Sequence, residues 1–133
     1  MKKLSIEERD LLLKDLCARL QYGVKVGMGV EIDANNPYTL LGINPTACGC
    51  AEIYVMRRGI TCDGSLNTVK PYLRPMSSMT GKEKAEYKRL CVNAAICNDY
   101  PQVDYLISNH FDYRGLIPMG LALPATEDMY NIK

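Results

Sequence analysis

Six residues carry the side chains from which this chain could build a ligand site. Tyr72 and Arg74 lie between Pro71 and Pro75, and His110, Asp112, Tyr113 and Arg114 lie in one short run near the other end. Tyrosine and histidine rings offer faces for stacking, and arginine offers a planar fork suited to phosphate or carboxylate. All six fall in segments that read as irregular and therefore as surface, which makes them the candidates for lining a small-molecule or nucleotide pocket. The same residue types also cap and pack helix-to-sheet junctions, which is the structural alternative for each of them.

Catalysis finds little to use. The only histidine is His110, and the sequence contains no Gly-x-Ser-x-Gly, phosphate-binding loop, His-Glu-x-x-His or dinucleotide fingerprint. Flanked by Phe111 and Asp112, His110 suits a structural hydrogen bond better than a general base, so no catalytic residue and no cofactor are expected. The six cysteines contain one close group, Cys48, Cys50 and Cys62. The Cys-Gly-Cys spacing is one residue short of a zinc pair and no fourth ligand lies nearby, so no metal is expected. Cys17, Cys91 and Cys97 lie in segments with helical patterning, where Cys17 and Cys91 fall on the apolar face as reduced, buried thiols.

The elements that position these residues follow from periodicity. A capping box, Ser5 with Glu8, opens a helix over residues 6–21 whose apolar stripe is Leu13, Leu16, Cys17 and Leu20 with Leu12 alongside; Gly23 ends it. Period-two alternation from Val24 to Ile32 then marks a strand, and Asp33 to Pro37 a turn. Further strands are expected at 38–43, at 51–56 and near 66–69, with 57–65 as a loop. None of the intervals has room for a crossover helix, so the sheet is antiparallel, a small SH3-like barrel or a curled sheet spanning 23–76.

Residues 69–90 form the hinge of the chain. The two prolines hold Tyr72, Leu73 and Arg74 extended, and Thr80 with Glu83 makes a second capping box that starts a helix from Gly81 to about Cys97. A third helix is expected from Asp99 or Pro101 to near Asn109. Asp112 can cap a short turn, and Leu121 to Leu123 can return as an edge strand before Pro124. The whole reads as one α+β domain: an N-terminal helix, the antiparallel sheet, and a mainly helical half over 77–133.

Composition narrows the partners. Of 133 residues, 47% are hydrophobic and 23% charged, as in an ordinary globular protein, and no apolar run is long enough to span a membrane. Basic residues at the start have no apolar run behind them, so the segment is not a signal peptide and the chain is expected in the cytoplasm. Residues 65–98 carry net +4 and residues 99–133 net −3. That asymmetry suits self-association or a protein partner, with a strand edge or the apolar residues 116–123 as its surface, and a homo-oligomer is expected. It is too weak for nucleic acid.

Three blocks support a resemblance. Lys14 to Leu20 with Tyr22 to Val26, Val69 to Thr80 (Val-Lys-Pro-Tyr-Leu-Arg-Pro-Met-Ser-Ser-Met-Thr), and His110 to Ile117 with Gly120 to Leu123 resemble a group of small proteins encoded by gut Bacteroidales and their phages. They cover about a third of the chain. The resemblance implies a phage or prophage setting in a bacterial host and transfers no catalytic residue. That setting implies a non-catalytic accessory binding protein that sequesters a host nucleotide immune signal or blocks a host protein. The alternatives are a small enzyme degrading such a signal and a structural interaction module.

Overall fold

The computed structural model describes residues 4–29, 32–45, 51–97, 101–126 and 129–130. Helix α1 (Ile6–Arg19) continues in a short 3₁₀ turn (Leu20–Tyr22), and strands β1 (Lys25–Met28), β2 (Tyr38–Pro45), β3 (Ala51–Arg57), β4 (Ile60–Ser65) and β5 (Val69–Leu73) follow. After a 3₁₀ turn (Met76–Ser78) come α2 (Gly81–Cys97), α3 (Pro101–Ser108) and the two-residue strand β6 (Leu123–Pro124). This is a mixed α+β architecture.

The sheet runs in the order β4-β3-β2-β1-β5-β6. It is open, with β4 and β6 at its ends, so of the two expected forms, an SH3-like barrel or a curled sheet, a closed barrel is not formed. Neighbouring strands are antiparallel except β5 and β6, which are parallel. Residues 57–65, expected as a loop, instead end β3, turn at Arg58 and Gly59, and form β4 as the second arm of a tight hairpin. Arg58 and Gly59 both take positive φ there, which matches the twist of the flanking strands. Beyond α3 the chain runs mostly through turns. The returning strand sits at Leu123–Pro124, slightly later than expected, and Ala125 N–H donates to Leu73 O at 2.8 Å.

Both capping boxes form. Glu8 N–H donates to Ser5 Oγ and Ser5 N–H to Glu8 Oε1, and Thr80 and Glu83 exchange the equivalent pair. Gly23 closes α1 in the left-handed conformation, φ 66°. The buried face of α1 differs from the expected stripe. It is Leu12, Asp15, Leu16 and Arg19, at i, i+3, i+4 and i+7, while Cys17 is exposed. Spacing alone favours the all-apolar stripe, but a charged pair can replace two leucines when its charges are matched.

The main core packs Leu12 and Leu16 of α1 against Val24, Val26, Leu40, Ile53, Val55, Val69 and Leu73 of the sheet side, closed by Leu116, Leu121 and Ala122. Within 116–123, Leu116, Leu121 and Ala122 are thus core, whereas Pro118, Met119 and Gly120 are exposed, so the stretch is only in part an exposed apolar surface. Cys91 is exposed like Cys17, which corrects the expectation of buried thiols on the helix faces; Cys62 is exposed on β4, and Cys48 and Cys50 lie outside the described residues, as does Asp99. No helix among the described residues is long and apolar enough to cross a membrane.

Candidate functional site: a polar groove beside His110

The segment that carries His110 is fixed by the end of α3. His110 N–H donates to Ile107 O at 3.0 Å and Phe111 N–H to Leu106 O at 2.9 Å, the two bonds of a Schellman turn. His110 occupies its left-handed position with φ 66°, where glycine is the usual residue. Phe111 and Leu106 then meet in a second small apolar cluster with Met79. Leaving the turn, the chain lies parallel to the end of β5. Arg74 N–H donates to His110 O at 2.7 Å, and Asp112 N–H donates to Arg74 O at 2.9 Å.

Five of the six side chains that sequence singled out are used internally. Arg74 is buried and grips Glu83 with both guanidinium ends, at 2.8 and 2.7 Å, with its Cζ 4.1 Å from the centroid of the Phe111 ring. That hydrogen bonding holds the Glu83 carboxyl below its usual range, against the opposing effect of burial. The Asp112 carboxylate accepts from Leu116 N–H at 2.7 Å and Ile117 N–H at 3.0 Å, capping the turn as its sequence position predicts. Arg114 donates to Asp15 Oδ1 at 3.1 Å, and Arg19 donates to Asp15 Oδ2 at 2.8 Å and to Phe111 O at 2.6 Å. The Tyr113 ring lies against both guanidiniums. Tyr72 is buried in the sheet, where burial raises the hydroxyl pKa. These residues are buried or half-buried, so reading their irregular segments as open surface is corrected. Irregular backbone here is packed because side chains and strand β5 satisfy its polar groups.

His110 differs from the others in lining a groove. A cavity of about 600 Å³ lies between the end of α1, the first turns of α2, the end of α3 and the C-terminal segment. Tyr22, Lys82, Glu86, Tyr105, His110 and Tyr130 carry most of its chemistry. The His110 and Tyr130 rings stack at 3.7 Å between centroids with 13° between planes. Burial pushes the imidazole down to about 4, and the charges of Arg19, Arg74 and Lys25 push the same way, so the ring is neutral at physiological pH. Its buried Nδ1 has no protein partner among the described residues. Tyr105 has its hydroxyl pKa raised, first by burial and then by the carboxylates of Glu83 and Glu86. Arg89 holds Glu86 through two bonds and lowers its pKa.

Tyr130 is the wall residue that sequence reasoning missed. Its hydroxyl donates to Tyr72 O at 2.7 Å and accepts from Lys25 N–H at 2.8 Å. Val26 pairs with Pro71 in the β1–β5 ladder, so Lys25 and Tyr72 are the next positions along, and the phenol bridges the strands where the ladder stops. Tyr130 gave no signal in the sequence because it follows Pro124 in a segment with no periodicity. Tyr105 was visible only inside the expected third helix, and Tyr22 only as the residue between the expected first helix and Gly23. Among the described residues, no three histidine, cysteine or acidic side chains converge as a metal would need.

The fold and the groove define an open-sheet α+β protein with a polar, ring-lined pocket at the junction of its helices and sheet. No family model, curated protein or solved structure matches the chain.

Proposed function

We propose that this chain is a non-catalytic binding protein that holds a small nucleotide-type ligand in the groove beside His110. One observation carries the reading: four rings, Tyr22, Tyr105, His110 and Tyr130, meet with Lys82 and Glu86 around about 600 Å³. That volume is in the range of small-molecule sites, roughly 300–1,000 Å³, and rings with a few convergent polar groups are what such sites contain. A heteroaromatic base would stack on a tyrosine face and use Glu86 or a tyrosine hydroxyl for its edge, and Lys82 would meet a phosphate. Support for a binding role without chemistry comes from the same residues. An imidazole with a pKa of about 4 is a weak base at neutral pH, and both Asp112 oxygens accept backbone N–H groups. In the phage setting that the resemblance implies, holding such a ligand sequesters a host nucleotide immune signal.

Incubation of the protein with a mixture of signalling nucleotides tests this directly. The expected result is depletion of one nucleotide, its intact release on heating, and affinity lowered about tenfold or more by Tyr105→Ala or Lys82→Ala. Release of altered products would make the protein an enzyme. Failure to deplete any nucleotide would end the reading and leave a host protein as the partner to seek.

A further inference from the structure

We propose that two copies of this chain pair antiparallel along β4, about a two-fold axis through Cys62, with Ile60 of each copy seated in a depression beside Gly64 of the other. Strand β4 is the end of the sheet, and among the described residues nothing pairs with its outer edge. Free edges in natural proteins are usually blunted by lysine, proline or a bulge. Ile60-Thr-Cys-Asp-Gly-Ser65 has no lysine or proline, and its six-pair register with β3 is unbroken from Arg57↔Ile60 to Glu52↔Ser65.

The side facing the core supplies both a projection and a hollow. Ile60, Cys62 and Gly64 share the face on which Val55 and Ile53 are buried, since Cys62 is opposite Val55 and Gly64 opposite Ile53. Yet Ile60 is 68% exposed and Cys62 is exposed, so this end of the face lies beyond the helices that cover the core. Four residues along, a depression of about 510 Å³ is lined by Met28, Gly29, Asp63, Gly64, Ser65 and Thr68. The Met28 methyl group lies 2.5 Å from where a Gly64 Cβ would stand, so glycine makes room there for the flexible end of the Met28 side chain, which forms part of the wall of the depression.

Register follows from ladder geometry. Main-chain groups of alternate residues point away from β3, and outward-pointing residues must face one another across the new ladder. A two-fold axis must then pass through a residue, and the two choices that keep most of β4 paired are Cys62 and Asp63. An axis through Asp63 sets two carboxylates directly opposite, which is destabilising. An axis through Cys62 sets Asp63 beside Thr61 of the second copy and Ile60 beside its Gly64, so each exposed isoleucine reaches the other copy's Met28 and hollow. The contact is self-complementary, as a closed two-fold interface must be.

Sedimentation of the full chain over a range of concentrations should show a monomer–dimer equilibrium. Ile60→Asp should weaken the dimer about tenfold or more, without lowering the melting temperature, because Ile60 is exposed in the single chain. If that variant fails to fold, Thr61→Lys tests the same edge from its other face. Directly opposed residues have Cα atoms about 4.5–5.5 Å apart, within the roughly 4.4–6.8 Å that a disulfide spans. Diamide, which takes up the two hydrogens as two thiols become one disulfide, should therefore trap a dimer whose linked peptide joins Cys62 to Cys62, and Cys62→Ser should abolish it. A monomer at every concentration, a dimer indifferent to Ile60→Asp and Thr61→Lys, or cross-linking that excludes Cys62 would overturn the interface.

Discussion

Replacing Tyr130 by Phe removes one oxygen atom and leaves the ring stacked on His110, so it isolates what the phenol does for the sheet. In the native chain that oxygen serves two backbone groups, the Tyr72 carbonyl at 2.7 Å and the Lys25 amide at 2.8 Å. Tyr72 is buried, so its orphaned carbonyl should cost about 1–3 kcal/mol, whereas the part-buried Lys25 amide can recruit water and should cost about 1 kcal/mol. The loss should thus be about 2–4 kcal/mol, a large part of the roughly 5–15 kcal/mol that holds a typical domain together. Urea titration followed by far-ultraviolet circular dichroism should show the midpoint falling with an unchanged slope, the sign that native stability has changed and compactness has not. The melting temperature should drop by roughly 10 °C at this chain length. A loss below about 0.5 kcal/mol, the range of ordinary surface substitutions, would refute the bridging role.

Two further predictions concern charge. His110 has its pKa lowered from 6.5 to about 4, so the unfolded chain binds the proton more tightly. Stability from the neutral ring is therefore complete above the unfolded value and is lost as pH falls from about 6.5 towards 4. His110→Asn, which tolerates the left-handed backbone, should flatten the pH dependence of urea unfolding in that window; an unchanged profile would count against a buried neutral imidazole. Arg114→Ala should lower stability by about 1–3 kcal/mol, because a buried carboxylate loses a charged hydrogen bond, while Asp15→Ala should cost about 3–5 kcal/mol by leaving two guanidiniums without their anion. Thermal melts of both variants check the order, and Arg114→Ala more stable than wild type would reverse the assignment.

Much of the chain's organisation was legible because it is local. Ser5 with Glu8 and Thr80 with Glu83 announce their helices within four residues, Gly23 marks a left-handed stop, and the two prolines keep the end of β5 extended. Asp112 was readable as a cap for the same reason. What could not be read depends on residues far apart in sequence. The face of α1 turned on Asp15 finding Arg19 and, 99 positions away, Arg114. Without that partner, an aspartate on a buried face is a poor guess, and Leu13 and Cys17 are better ones. The β3–β4 hairpin was missed because Arg58 takes positive φ, a role that sequence assigns to glycine or asparagine. The groove was least visible, since its walls come from the turn after α1, from α2 and α3, and from the segment that carries Tyr130.

The fate of the two candidate arginines shapes what the groove can accept. Arg74 and Arg114 were the natural anion binders of the sequence, and each is matched to a carboxylate, Glu83 and Asp15, before any ligand arrives. Extracting Arg74 for a phosphate would leave the buried Glu83 carboxylate without its cation, a cost of several kcal/mol that one ligand contact does not offset, and extracting Arg114 would take a charged hydrogen bond from the buried Asp15, which would keep Arg19 alone. Lys82 is then the cation at hand, set against Glu86, whose field already reaches the Tyr105 hydroxyl. A ligand with several clustered phosphates would meet net repulsion or, at best, one point charge. One with a single phosphate, or with its charge spread apart, and a base bearing donor groups suits Glu86 and the tyrosine rings better. Affinity in this groove should accordingly come more from stacking than from charge, and should fall only weakly with added salt. A steep salt dependence would instead mean that Arg74 or Arg114 leaves its carboxylate on binding.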